Sequence, residues 1–159
     1  MPTAMQLVLN GELRSVTVEP AELLVDVLRD RLGMKSPKIG CGRGECGTCT
    51  VLLDGKPVRS CLILAVEVDG HEVVTLEGLN QDAATSRLQR SLVEANAFQC
   101  GFCAPGMVVS ATELLRREPH PGEQEVREVL AGHLCRCTGY EPIIEGILAT
   151  ANKAGKNDE

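Results

Sequence analysis

Cysteine thiolates are the main reactive groups in this chain. Eight occur among its 159 residues, and they sort into two sets of four. The first runs Cys41-x4-Cys46-x2-Cys49-x11-Cys61. The second pairs Cys100-x2-Cys103 with Cys135-x-Cys137 about thirty residues on, and no cysteine is left over. A thiolate can ligate soft metals, exchange electrons or close a disulfide. The chain opens Met1-Pro2-Thr3-Ala4-Met5, with no basic stretch leading into an apolar one, so a secretory leader is not expected. The thiols are therefore expected in reducing cytoplasm, holding metal or doing redox work; a partner's export signal could still carry a whole complex elsewhere.

Cys41, Cys46 and Cys49 fall within nine residues, interleaved with Gly42, Gly44 and Gly47. A chain so composed must wrap tightly round one object, and glycine lets backbone N–H groups come close to it. Three near cysteines and one distant fourth, Cys61, follow the plant-type spacing for a single [2Fe–2S] cluster; structural zinc prefers two matched close pairs. N–H groups aimed at the sulfurs of such an anion would stabilise its reduced form and raise its potential. Arg43 reads as a solvated loop side chain.

In the second set, Cys100 and Cys103 fall at the start of a helix opened by Pro105. Cys135-Arg136-Cys137 falls ahead of the last helix. Two helix N-termini, each with partial positive charge, are thus expected to converge on one anionic cluster. Taken alone, Cys100-x2-Cys103 could be a thioredoxin-like pair, but no βαβ pattern surrounds it, and C-x-C is poor zinc-ribbon spacing.

The elements that must position these residues change character midway. Gln6–Leu9 and Leu13–Val18 alternate like strands around Asn10-Gly11, a strong hairpin signal. Leu23, Leu24, Val27, Leu28 and Leu32 recur at helical spacing, with Gly33 to end the helix. Strands are expected over Thr50–Leu53, Val58–Cys61 and Glu72–Leu76, with a tight turn at Asp54-Gly55. Cys61 would then arrive from a strand. Beyond Asn80 the pattern is helical. One helix is capped by Thr85 and carries Leu88, Leu92 and Val93. A second opens near Pro105, carries Val108, Ala111, Leu114 and Leu115, and ends at Arg116-Arg117. A third carries Val126, Val129 and Leu130 up to Gly132. A fourth spans Glu141 to Ala151 behind a Thr138-x-x-Glu141 capping box. The polar tail from Lys153 to Glu159 should fray. This predicts an α+β chain: residues 1–77 a plant-type ferredoxin domain of β-grasp form, residues 78–159 a helical [2Fe–2S]-binding domain.

With two Phe, one Tyr and no Trp, the core must be aliphatic. A net charge of −6 provides no basic face for nucleic acid, and no apolar run reaches the roughly 18 residues of a membrane span. No nucleotide loop, flavin motif or hydrolytic constellation is visible.

Gly40 to Cys49, Gln99-Cys100-Gly101-Phe102-Cys103-Ala104-Pro105-Gly106-Met107 and Leu134-Cys135-Arg136-Cys137-Thr138-Gly139-Tyr140 together resemble the iron–sulfur subunit of the molybdenum hydroxylases, the xanthine dehydrogenase family. The resemblance runs from about Gln6 to Ala151. It implies two [2Fe–2S] clusters, one on Cys41, Cys46, Cys49 and Cys61, the other on Cys100, Cys103, Cys135 and Cys137. It also implies a large molybdopterin-binding partner subunit, next to which the helical-domain cluster lies, and onward transfer of electrons to an FAD-containing partner. Gln99 would hydrogen-bond the pterin, with Cys137 on the same side; outside this context Gln99 reads as a helix-capping amide. Thr48, Ala104 and His133 stand where the family often has Ala, Thr and Asn, and none of these removes a ligand. His133 reads as a surface or structural histidine and Tyr140 as core packing. The function implied is electron transfer within a heteromeric molybdenum-dependent oxidoreductase. A free-standing two-cluster ferredoxin is the alternative.

Overall fold

The computed structural model describes residues 1–154. Five strands form a mixed sheet in the order β2-β1-β5-β3-β4. β1 (Thr3–Leu9) and β2 (Glu12–Val18) make the expected antiparallel hairpin. Asn10 and Gly11 both take left-handed φ, 53° and 83°, which matches the twist of the strands they join. Asn10 also ties the hairpin to the far end of β5 (Glu72–Val74): its carboxamide accepts from Thr75 N at 2.8 Å and donates to Thr75 Oγ1 at 3.0 Å. β1 and β5 run parallel; β3 (Thr50–Leu53) lies antiparallel to β5 and to β4 (Lys56–Arg59).

The helix expected after Leu23 is present but distorted. α1 (Leu24–Asp26) widens into a π-helical turn (Val27–Arg31), in which Leu32 N reaches back to Val27 O at 3.0 Å. This keeps Leu24, Val27 and Leu28 fully buried against Leu7, Val51 and Val73 of the sheet. Three boundaries differ from expectation. β4 stops at Arg59, and Cys61 lies in a short 3-10 turn (Ser60–Leu62), not on a strand. β5 stops at Val74, and Leu76 opens α2 (Leu76–Leu79). A further 3-10 turn (Ala65–Val68), unpredicted, buries Ala65 and Val68 under the sheet.

The second half is helical. α3 (Ala83–Glu94) is capped by Asp82, whose carboxylate accepts from the amides of Ala84 and Thr85; Thr85 itself is buried in the first turn. α4 (Ala104–Arg117) has Pro105 in its first turn and both arginines in its last, as expected. α5 (Glu123–Leu130) ends with Ala131 as its cap, one residue before Gly132. α6 (Glu141–Ala154) takes Lys153 into its last turn, where Nζ meets Glu94 at 2.5 Å; residues 155–159 of the polar tail lie outside the described residues. The Thr138 capping box does not form. Ile143 and Ile144 donate instead to Tyr140 O. Leu88, Leu92, Met107, Leu114, Leu130, Ile143 and Ile147 fill the core, each worth about 1.5–3 kcal/mol in buried apolar surface.

A third, smaller apolar cluster joins the halves: Leu52 of β3, Leu79 of α2 and Val109 of α4. Beside it, α4 lies directly on the first cysteine loop. A Cβ on Gly106 would stand 2.2 Å from Gly47 O, so only glycine allows this approach.

Candidate metal centres

The first quartet is held mainly by backbone. Lys38 and Thr48 close the neck of the loop, with Lys38 N donating to Thr48 O at 3.0 Å and Thr48 Oγ1 donating to Lys38 O at 2.9 Å. Inside it, the amides of Arg43, Glu45 and Cys46 all aim at Cys41 Sγ, at 3.4, 3.3 and 3.4 Å. These N–H groups, that of Arg43 foremost, hold the Cys41 thiol down at about 6. Cys49 and Cys61 lie deeper and pack on Val25. Burial, reinforced by contact with Cys49, pushes the Cys61 thiol up to about 11. Arg43 pairs with Glu45 at 3.0 Å in solvent, the bland role the sequence assigned it.

The second quartet is assembled from two distant segments, held by side chains as well as amides. Cys103 caps α4 and is buried; burial, and contact with Cys135, push it up to about 12. Cys100 is exposed, with Sγ 3.6 Å from Cys137 Sγ, and the Phe102 amide lowers its pKa. Burial opposes ionisation of Cys135, but the Thr138 hydroxyl at 3.1 Å and the amides of Cys137 and Thr138 outweigh it, and its pKa falls. Tyr140, in a left-handed conformation at φ 73°, does more than pack. Its Oη accepts from Cys135 N at 3.0 Å and donates to His133 O at 2.8 Å. At the start of α6 the amides of Ile143 and Ile144 bind Tyr140 O, and at the start of α4 Ala104 N donates to Gly101 O at 3.2 Å and Met107 N to Cys103 O at 3.3 Å. Gln99 is exposed and does not cap α4, which opens at Cys103; its Nε2 donates to Cys137 O at 3.1 Å.

The thiols meet in twos: Cys41 with Cys46, Cys49 with Cys61, Cys100 with Cys137, Cys103 with Cys135. Among the described residues no three Cys, His, Asp or Glu side chains converge closely enough to hold one ion. Thiols that meet in twos match a two-iron cluster, which takes four thiolates, two to each iron. The donor set fits [2Fe–2S].

The two sites are stitched together. Leu134 N, next to Cys135, donates to Cys46 O at 3.0 Å. Arg59 spans from Thr50 Oγ1 (2.7 Å) to Gly132 O (2.5 Å). His133 is 2% exposed, with Nε2 2.8 Å from Ser110 Oγ and Nδ1 facing Gly47 without a hydrogen-bond partner among the described residues. Burial, and then the Arg59 guanidinium, hold it down at about 4. The Glu77 carboxylate grips Lys35 N (2.7 Å), Ser36 N (2.8 Å) and Ser36 Oγ (2.5 Å). Burial works against its ionisation, but the Ser36 hydroxyl and further hydrogen bonds bring it to about 2. Sequence reasoning missed the supporting roles of Glu77 and Lys38, which act across the fold, and of Thr138 and Tyr140, which act within a left-handed turn where the sequence suggests a capping box.

Two family models match in tandem. One, described as a 2Fe-2S iron-sulfur cluster binding domain, covers residues 7–80; the other, a [2Fe-2S] binding domain, covers 75–148. The chain is 48% identical over 132 residues to the nicotinate dehydrogenase small FeS subunit of Eubacterium barkeri, covering 83% of this chain and 84% of that one. It is 46% identical over 149 residues to the nicotine 6-hydroxylase small subunit of Paenarthrobacter nicotinovorans, covering 94% and 90%. Among solved structures, a chain of quinoline 2-oxidoreductase from Pseudomonas putida 86 superimposes with a TM-score of 0.89 at 45% identity, over 99% of both chains.

Proposed function

The chain belongs to the small iron–sulfur subunits of the molybdenum hydroxylase, or xanthine dehydrogenase, family, and from that premise we propose how its residues divide the work. It is the electron-transfer subunit of a heteromeric molybdenum-dependent oxidoreductase, carrying two [2Fe–2S] clusters, with substrate chemistry in another chain. When bound, each cluster takes up and returns one electron at a time.

In this reading Cys41, Cys46, Cys49 and Cys61 hold one cluster within residues 1–77, and Cys100, Cys103, Cys135 and Cys137 hold the other within 78–159. The second site faces the molybdopterin of the large subunit. The observation that carries this is the exposed face where Cys100 and Cys137 meet, Sγ to Sγ at 3.6 Å, with the Gln99 carboxamide bound to Cys137 O. Phe102 and Leu134, each beside a cysteine in the chain, are 47% and 57% exposed. Large apolar side chains around polar, chemically competent groups are what a partner would cover. Gln99 spends one N–H on Cys137 O, and a carboxamide retains a second N–H and an acceptor for the pterin edge. The first site faces outward to a flavin-binding partner, or another acceptor, and the complex works in the cytoplasm. No helix among the described residues is long and apolar enough to cross a membrane.

Native purification tests the assignment. The chain should travel with a molybdenum-containing large subunit and carry four irons and four labile sulfides, read out as two EPR signals after reduction. Zinc in active material would defeat the ligand assignment. Migration of the loaded chain alone, free of molybdenum, would favour the soluble-ferredoxin alternative.

A further inference from the structure

Lys38 lies three residues before Cys41, yet its side chain crosses to the other site. Nζ donates to the Phe102 carbonyl at 3.1 Å and stands 5.1 Å from the centre of the Phe102 ring. Phe102 lies between Cys100 and Cys103. The stem that delivers this ammonium is fixed on both sides. Downstream, Lys38 is clasped to Thr48 through N and O; upstream, the amides of Lys35 and Ser36 sit on the Glu77 carboxylate. The side chain is half-buried. That burial and the neighbouring Arg29 guanidinium lower its pKa, while Cys103, Cys100 and Glu77 oppose the fall. The carbonyl that Nζ holds belongs to the peptide bond between Phe102 and Cys103, so the ammonium stands beside the helical site.

We propose that Lys38, a residue of the ferredoxin domain, raises the midpoint potential of the cluster held by the helical domain. This rests on the reading that Cys100, Cys103, Cys135 and Cys137 hold a cluster. Four thiolates make such a site anionic, and its one-electron reduction adds a further negative charge. A fixed cation at short range favours the more negative state, and more strongly where water is partly excluded. The first quartet draws on the three amides that converge on Cys41. Lys38 is thus a positioning charge that touches neither substrate nor thiolate directly, and it makes the electronics of one domain depend on correct docking of the other.

The test is EPR-monitored redox titration of the assembled complex carrying Lys38→Met or Lys38→Arg, with iron and labile sulfide counted in each. Cys137→Ser identifies the helical-site signal as the one it abolishes. Lys38→Met should lower the midpoint of that signal, move the other signal less and leave the iron count unchanged. Lys38→Arg should stay near wild type, because it keeps the charge over the ring. Should Lys38→Met fail to assemble, Phe102→Leu, which removes the ring beneath the ammonium, should lower the same midpoint by less. Unchanged midpoints, equal movement of both, or an Arg variant as low as the Met variant would overturn the role of Lys38. If Cys137→Ser leaves both signals intact, the cluster assignment itself fails, and that outcome is distinguishable from the others.

Discussion

The two cysteine quartets present similar donor sets by different means. The first lies on one loop plus a 3-10 turn, and its control comes from the backbone: glycines give the loop its path and three amides converge on Cys41. Its inner thiols, Cys49 and Cys61, belong to an apolar cluster with Val25 and are part of the fold. The second quartet joins segments more than thirty residues apart and adds side chains to the amides of Phe102, Cys137 and Thr138: the Thr138 hydroxyl on Cys135, Tyr140 on Cys135 N, Gln99 on Cys137 O. Its outer thiols, Cys100 and Cys137, remain in solvent. A site built from backbone depends on glycine and tolerates change in its side chains. A site built from side chains can be tuned residue by residue and is correspondingly easier to damage.

Replacing single cysteines should have the largest effect and should separate the two sites most clearly. Cys61→Ser and Cys137→Ser are each expected to remove one EPR signal and about half the iron. They should differ in stability. Cys61 is 4% exposed, so a serine hydroxyl there, without the metal, is left in an apolar environment, at a cost of about 1–3 kcal/mol beyond the loss of the cluster. Cys137 is exposed, and its serine variant should melt closer to wild type. Equal melting losses would show that the first quartet is no more integrated into the fold than the second.

Gly106 tests whether the sites are independent. In Gly106→Ala the new Cβ meets a backbone oxygen, Gly47 O, which cannot rotate away. Either α4 retreats or the cysteine loop deforms, at a cost on the order of 1–3 kcal/mol. One methyl should therefore disturb both EPR signals, along with any magnetic coupling between them. A change confined to one signal would mean that the seam at Gly47 and Gly106 carries no structural information between domains.

Tyr140→Phe should act on one site alone. It leaves Cys135 N and His133 O without the hydroxyl that serves both, and unsatisfied backbone groups in a half-buried place cost about 1–3 kcal/mol. Thermal melting should fall, and only the helical-site signal should change in shape. A shift in the signal from the first quartet would contradict the division between the domains.

What the sequence made legible follows from how each site is built. The loop of the first quartet could be read from spacing alone, because its glycines, its three near cysteines and its amides all lie in one stretch. The hairpin at Asn10-Gly11, strand Thr50–Leu53 and the helix from Ala104 were equally readable, since turn chemistry and periodicity act locally. Cys61 was placed on a strand because Val58 and Arg59 continue into it without a break; the 3-10 turn is imposed by packing against Val25. The Thr138 capping box failed because Tyr140 turns left-handed and Thr138 bonds Cys135 instead. His133 read as surface or structural, and the structure decides for the second: it is buried at the seam, where Gly47 and Ser110 arrive from distant positions in sequence.

Gln99→Ala should have the smallest effect on the chain itself, and that contrast gives the test its force. Within the chain Gln99 makes one exposed hydrogen bond, Nε2 to Cys137 O at 3.1 Å, and an exposed bond of this kind is worth at most about 0.5–1.5 kcal/mol. Melting, iron content and both EPR signals of the isolated chain should therefore stay close to wild type. In the assembled complex the same carboxamide would be buried against the pterin, and its removal would leave a polar partner unsatisfied, at about 1–3 kcal/mol. Electron delivery from molybdenum to the helical site should slow, or the subunits should part at lower dilution, while the first quartet continues to exchange electrons normally with the acceptor. The comparison is between one bond that merely steadies Cys137 and one that also joins two subunits. If molybdenum-to-cluster transfer and subunit affinity match wild type while only melting falls, Gln99 serves the loop and nothing beyond it.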